Sequence, residues 1–175
     1  MKVDINHTFE EIYKGESDAI FRFCLIRVSN REQAMDIVQE TFLRLWQSLL
    51  QGKEILNNRS FLFTVARHLV IDWYRKKKSV SLDNMMYEGR EGEYDVIDQG
   101  TTEFNLSSLA EGRYLLDKIN KLAPSYRDPL YLHFVEDLSP PEIGEILGIS
   151  ANAASVRINR GIAELRKIAG YNNEN

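Results

Sequence analysis

From Leu138 to Lys167 the sequence reads LSPPEIGEILGISANAASVRINRGIAELRK, and its punctuation decides the local fold. Ser139 stands as an N-cap, Pro140 fills the first helical position, and Glu142 completes a capping box. Ile143, Ile146 and Leu147 then point inward, while Gly144 leaves room for a second helix to approach closely. Gly148-Ile149-Ser150 is a tight turn with an apolar plug, and Ser150 caps the next helix. In that helix Ala151, Ala154, Ile158, Gly161, Ile162 and Leu165 share the inner side. Asn152, Val156, Asn159, Arg160, Ala163, Arg166 and Lys167 lie around the outer side, with Ser155 and Arg157 flanking. Two helices about a short glycine-containing turn make the helix-turn-helix pattern. An outer face of Asn, Arg and a small apolar residue carries the donors, acceptors and methyl contacts that major-groove readout uses. An ordinary helical hairpin is the alternative.

Immediately upstream, Leu115, Leu116, Ile119 and Leu122 give an apolar face to a helix starting near Arg113. Pro124 stops that helix, and another is expected over Tyr126 to Glu136. Much earlier, residues 31–50 (REQAMDIVQETFLRLWQSLL) have strong helical period. Ala34, Ile37, Val38, Thr41, Phe42, Leu45 and Leu49 fall on the core face. Asp36, Gln39, Glu40, Leu43 and Gln47 fall opposite. An apolar Leu43 among acceptors suits a docking surface, with a plain solvated face as the alternative.

Residues 59–78 (RSFLFTVARHLVIDWYRKKK) predict a third long helix in this half, with an apolar stripe of Leu62, Val65, Ala66, Leu69 and Trp73. Opposite lie Thr64, Arg67, Ile71, Tyr74, Arg75 and Lys78. Cations that engage phosphates, beside aromatics that stack on unpaired bases, are what single-strand binding needs. Cations at a helix C-terminus also complement the macrodipole. Dipole complementation alone does not require four consecutive cations, Arg75 to Lys78, beside Trp73 and Tyr74.

Charge is unevenly divided along the 175 residues, whose net is −4 with a pI near 5.5. Residues 1–78 carry 13 basic and 10 acidic side chains, and residues 113–175 carry eight of each. Residues 79–112 carry one basic side chain, Arg90, and eight acidic ones. This middle stretch shows no sustained period and reads as a linker. It retains Met85, Met86, Tyr87, Tyr94, Val96, Ile97 and Phe104. It is therefore either a plain flexible tether or an acidic strand suited to a partner's basic channel. The expected organisation is all-α: a helical domain over 1–78, a flexible acidic linker over 79–112, and a helix-turn-helix domain over 113–175.

Other classes have little support in the composition. With 43% apolar and 27% charged residues, the chain can build a soluble core, which argues against disorder throughout. No apolar run exceeds Phe23-Cys24-Leu25-Ile26, which excludes a membrane-spanning helix, and MKVDINHTFEE lacks a secretory apolar segment. A cytoplasmic location is expected. Cys24 is the lone cysteine and is expected to be a small buried hydrophobe. His7, His68 and His133 show no ligand spacing, so no metal or cofactor is expected. No catalytic constellation stands out, so the chain is not expected to be an enzyme.

Taken together, both halves resemble the extracytoplasmic-function (ECF) group of bacterial sigma factors. Ala34-Met35-Asp36-Ile37-Val38-Gln39-Glu40-Thr41-Phe42 is similar to that family's polymerase-docking helix, and Phe61 through Arg75 to its promoter-melting, minus-ten-reading helix. Leu122-Ala123-Pro124, with Arg127, Leu132 and Glu142-Ile143-Gly144, resembles its minus-thirty-five-binding domain. The chain departs at His68, where the family has Asn, and at Ala153-Ala154-Ser155, where many members have Thr-Val-Lys. Arg157 and Arg160 keep their places, so duplex binding carries over but a particular promoter sequence does not.

The resemblance implies a promoter-specificity subunit that docks on core RNA polymerase through Asp36, Gln39, Glu40, Leu43 and Gln47. It implies that the loop from about Gln51 to Asn58 and the following helix hold a flipped base and the melted non-template strand. Asn57, Asn58, Arg59, Thr64, Arg67, His68, Ile71, Tyr74, Arg75, Lys76 and Lys78 are the residues expected there. Ser150, Asn152, Ala153, Ser155, Val156, Arg157, Asn159 and Arg160 are expected at the upstream duplex. An anti-sigma factor is an expected partner, and the linker is expected to thread toward the polymerase active site and RNA exit path. Two other classes compete: a free-standing helix-turn-helix regulator with a sensing or dimerisation domain, and a module that antagonises polymerase. A net acidic chain disfavours unaided DNA binding.

Overall fold

A computed structural model describes residues 4–82 and 117–170, which are helices joined by turns and short irregular stretches. The chain divides into two compact units, Met1–Glu91 and Gly92–Asn175. In the first, α1 spans Ile5–Val28, α2 Arg31–Leu50 and α3 Asn58–Leu82. In the second, helical residues 117–120 precede α4 (Pro124–Phe134), α5 (Pro140–Leu147) and α6 (Ala151–Ile168).

The first unit is a three-helix bundle in which each helix packs on the other two. Asp4 caps α1 by accepting from the Asn6 and His7 amides. At its other end Ser29 takes a left-handed φ of 51°, and Asn30 at once caps α2 through the Gln33 amide at 3.0 Å. Only two residues thus separate α1 from α2, which forces them antiparallel. Ile20, Phe23, Cys24, Phe42, Leu45, Leu62, Phe63 and Ala66 fill the centre. Phe23 meets Phe63 edge-on, with centroids 5.3 Å apart.

Helix α2 has the expected bounds and core face, with two adjustments: Leu49 is half-buried, and Ser48 is buried with its hydroxyl on the Arg44 carbonyl. Helix α3 departs further. Its buried arc centres on Leu62, Phe63, Ala66 and Val70, while Val65, Leu69 and Trp73 are only half-buried. Packing against both α1 and α2 widens and rotates the covered arc beyond a single apolar stripe. The helix also continues to Leu82, into the stretch expected to be linker, since residues 79–82 include neither glycine nor proline.

The second unit packs α6 against α4 and α5 over Leu130, Tyr131, Leu132, Leu138, Ile143, Ile146, Ala154 and Ile158. Helix α4 begins at Pro124, ahead of the expected Tyr126, because proline suits the first helical position. Leu147 is half-buried and Ala151 exposed, against the inward positions expected for both; Ala151 opens α6 before the helix has turned onto the core. Arg113, Leu115 and Leu116 lie outside the described residues. So do the linker residues named above.

Candidate nucleic-acid interface

Helix α6 is placed by two glycines and two caps. A Cβ on Gly144 would stand 2.7 Å from the Ile149 carbonyl oxygen and 3.2 Å from the Ala151 amide nitrogen, so only glycine admits this turn. Gly148 ends α5 with φ 67°, a left-handed turn that costs other residues strain. The Glu142 carboxylate accepts from both the amide (2.8 Å) and hydroxyl (2.6 Å) of Ser139, holding the start of α5. Ser150 Oγ accepts from the Ala153 amide at 3.1 Å, so both residues expected at DNA also build the cap of α6. Further along, Gly161 lets α6 lie against Leu130 and Tyr126 of α4.

With Ala154, Ile158 and Gly161 buried, Asn152, Val156, Asn159 and Arg160 are turned outward and exposed. The side chains of Asn152, Asn159 and Arg160 have no intramolecular hydrogen bond or ion pair among the described residues. Their donors and acceptors are unspent. Ser155 and Arg157 are half-buried on the flanks, and the Ser155 hydroxyl returns to the Ala151 carbonyl at 3.1 Å.

On the first unit the residues expected at the melted strand divide into two sets. The first set is tied into the bundle. Asn57 Oδ1 caps α3 through the Ser60 amide at 2.9 Å. Arg59 reaches Glu16 of α1 at 3.4 Å and lies over the Phe63 ring. Thr64 Oγ1 donates to the Ser60 carbonyl at 2.7 Å, and the Tyr74 hydroxyl donates to the Arg27 carbonyl of α1. Asn58, Arg67 and Ile71 are half-buried. The second set faces solvent: His68, Arg75, Lys76 and Lys78 are exposed, and among the described residues Arg75 makes a loose 3.8 Å approach to Asp72. Trp73, which sequence reasoning placed in the apolar stripe, donates from Nε1 to Gln33 of α2 at 3.0 Å and carries Lys77 5.0 Å from its ring centroid.

The outer face of α2 presents Asp36, Gln39 and Gln47 to solvent, while Glu40 is half-exposed and pairs with Arg44 at 3.0 Å. Leu43 is 48% exposed, and the structure adds Met35 at 44% and Leu50 at 58%. The sequence signal for these two was available: at i, i+8 and i+15 they share a helix face with Leu43. The outer face of α2 thus exposes three large apolar side chains among its acceptors.

Comparison with known proteins bears on these faces. Residues 12–80 match the family model for sigma-70 region 2, and residues 112–165 match that for sigma-70 region 4. The chain is 31% identical to the ECF RNA polymerase sigma factor SigW of Bacillus subtilis, over 95% of this chain and 97% of that one. The chain belongs to the ECF sigma factors. Its role is therefore promoter-specific transcription initiation. The sigma factor is also 30% identical to the RNA polymerase sigma factor CarQ of Myxococcus xanthus, across 93% of its own length and 89% of CarQ. Among solved structures, the sigma factor RpoE from Bartonella quintana, in complex with the anti-sigma factor NepR, shares the fold. The TM-score is 0.66 at 18% identity, covering 93% of this chain and 97% of that one. CnrH, in complex with the cytosolic domain of CnrY, gives 0.61 at 20% identity, covering 96% and 91%.

Among the described residues no cluster of His, Cys, Asp and Glu could hold a metal, and no helix is long and apolar enough to cross a membrane.

Proposed function

We propose that the sigma factor divides its work among three surfaces. Asp36, Gln39, Glu40, Leu43 and Gln47 dock on core RNA polymerase, with Met35 and Leu50 extending the apolar seam. The loop from Gln51 to Asn58 receives an extruded base, and α3 holds the melted non-template strand at the minus-ten element. Extruding a base costs a few kcal/mol, offset by stacking and by phosphate contacts from Arg75, Lys76 and Lys78. The bonds of Arg59, Thr64 and Tyr74 within the unit fix the backbone that carries those cations. Helix α6 lies in the major groove of the upstream duplex, where each good base contact is worth about 1–3 kcal/mol of discrimination.

The observation that carries this reading is the stripe of unspent Asn152, Asn159 and Arg160 on the second helix of a helix-turn-helix. Residues 1–78 and 113–175 are the working domains in this reading. The acidic residues between them, Asp83, Glu88, Glu91, Glu93, Asp95 and Asp98, follow a channel built for RNA phosphates. An anti-sigma factor is a further partner, supported by the NepR complex of the B. quintana relative. The protein works in the cytoplasm and performs no chemistry of its own.

Three sets of substitutions separate the surfaces. Leu43→Ser with Asp36→Ala lowers affinity for core polymerase and leaves minus-ten opening, once bound, intact. Lys76→Ala with Lys78→Ala slows promoter opening, read as permanganate reactivity of thymines. Asn159→Ala with Arg160→Ala removes the preference for the upstream element. Loss of all three properties in every set would contradict the division of labour.

A further inference from the structure

Val156 stands out on α6 as an apolar side chain on the outer stripe, outside the buried core of the unit. It is 38% exposed, while the core side of the same helix is Ala154, Ile158 and Gly161. A β-branched residue is a poorer helix former than alanine, so an exposed valine in mid-helix is not there for local stability. Its neighbours on the outer stripe are Asn152 one turn before and Asn159 and Arg160 one turn after, all exposed. From Asn152 to Arg160 the stripe rises about 12 Å, which spans about three to four base-pair steps. Val156 is the apolar centre of that polar row.

Base edges in the major groove offer one apolar group, the 5-methyl of thymine. Asn pairs bidentately with adenine and Arg with guanine, so a valine between them has one chemical counterpart. We propose that Val156 is a specificity-determining residue that packs on a thymine methyl in the upstream promoter element. The inference rests on the reading of α6 as the upstream duplex reader. The thymine lies on either strand of an A·T pair near the middle of the contacted steps. Ser155 does not compete for this place, since it is half-buried on the flank and its hydroxyl turns back to the Ala151 carbonyl.

The test uses the full chain with core RNA polymerase. A promoter is first selected by this holoenzyme from a library randomised over the upstream element. Each thymine of the selected element, on both strands, is then replaced singly by deoxyuridine, which deletes the methyl and leaves every hydrogen-bonding group. One position should lose roughly fourfold in affinity, the scale of one buried methyl. Val156→Ala should bind the thymine promoter about as weakly and become indifferent to that replacement. Because Val156 is exposed, the variant should fold as the parent does, which circular dichroism checks. A selected element without an A·T pair overturns the proposal. So does a full set of uridine replacements without effect, or a uridine effect that persists in Val156→Ala. Scrambling the whole element separates the two readings. If scrambling changes nothing, the role of α6 in duplex reading fails; if scrambling weakens binding but no uridine does, only the methyl contact fails.

Discussion

Replacing Gly144 with alanine should loosen the second unit, although helix propensity alone predicts the reverse. An alanine inside a helix is worth about 1 kcal/mol over glycine. Here the new Cβ would stand 2.7 Å from the Ile149 carbonyl oxygen and 3.2 Å from the Ala151 amide nitrogen, both backbone atoms of the turn. Relieving the first contact alone moves the turn by about half an ångström, and Ser150 and the start of α6 move with it. The Ile149 amide also donates to the Gly144 carbonyl at 2.9 Å, so this hydrogen bond resists the shift. Overpacking costs about 1–3 kcal/mol, and a backbone obstacle places the cost toward the upper end. The net loss is then about 1–2 kcal/mol, a factor of about 5–30 in the folded ratio of the unit. Hydrogen exchange on the full chain reads it directly, as faster exchange across α5 and α6 with α1–α3 unchanged. Both tryptophans, Trp46 and Trp73, lie in the first unit, so their fluorescence transition should not move. Gly161→Ala is the comparison: its Cβ meets only side-chain atoms, Leu130 Cδ1 at 2.9 Å and Cγ at 3.0 Å and Tyr126 Cβ at 3.2 Å, so the net cost should be smaller, about 0–1 kcal/mol. Unchanged or slower exchange in Gly144→Ala would refute the close-approach reasoning.

Three further outcomes are expected. Burial pushes the Cys24 thiol up to about 12, against a smaller opposing pull from Arg27. The native thiol should resist a maleimide at pH 8 and react once urea unfolds the chain; its stability contribution is complete below the ordinary thiol range near 8.5 and falls as pH rises toward 12. Tyr74→Phe removes the hydrogen bond to the Arg27 carbonyl and should cost about 0.5–1.5 kcal/mol, seen as a lower urea midpoint by tryptophan fluorescence. Ser139→Ala takes one donor from the Glu142 carboxylate and should cost about 0.5–2 kcal/mol, read as faster exchange in the first turn of α5.

Local grammar was legible in the sequence because its causes are local. Ser139, Glu142, Gly148 and Ser150 announce the helix-turn-helix, and the structure has each in its stated job. Helix α2 shows its bounds for the same reason, with Asn30 before it and Gln51-Gly52 after it. Helix α3 was less legible. Two helices cover it, so no single-face reading finds Phe63 and Val70, and a half-covered Trp73 resembles core on a helical wheel. Partners far apart in sequence were not legible at all. Tyr74 to Arg27, Trp73 to Gln33 and Arg59 to Glu16 join different helices, and no spacing rule within one helix reports them. They matter to the site, because they turn two apparent nucleic-acid residues, Arg59 and Tyr74, partly into anchors. Resemblance to ECF sigma factors supplied what physics could not: a partner to propose for the apolar seam on α2.

The net charge of −4 gives the most direct test of a subunit that borrows its DNA affinity from polymerase. Purified chain, core RNA polymerase, and the two together are each presented with a promoter library at physiological salt, and transcription starts are sequenced. Specific starts should arise only from the mixture, with the chain alone binding promoter DNA weakly and without preference. Tight, sequence-specific binding by the chain alone, or polymerase binding without a single specific start, would contradict it.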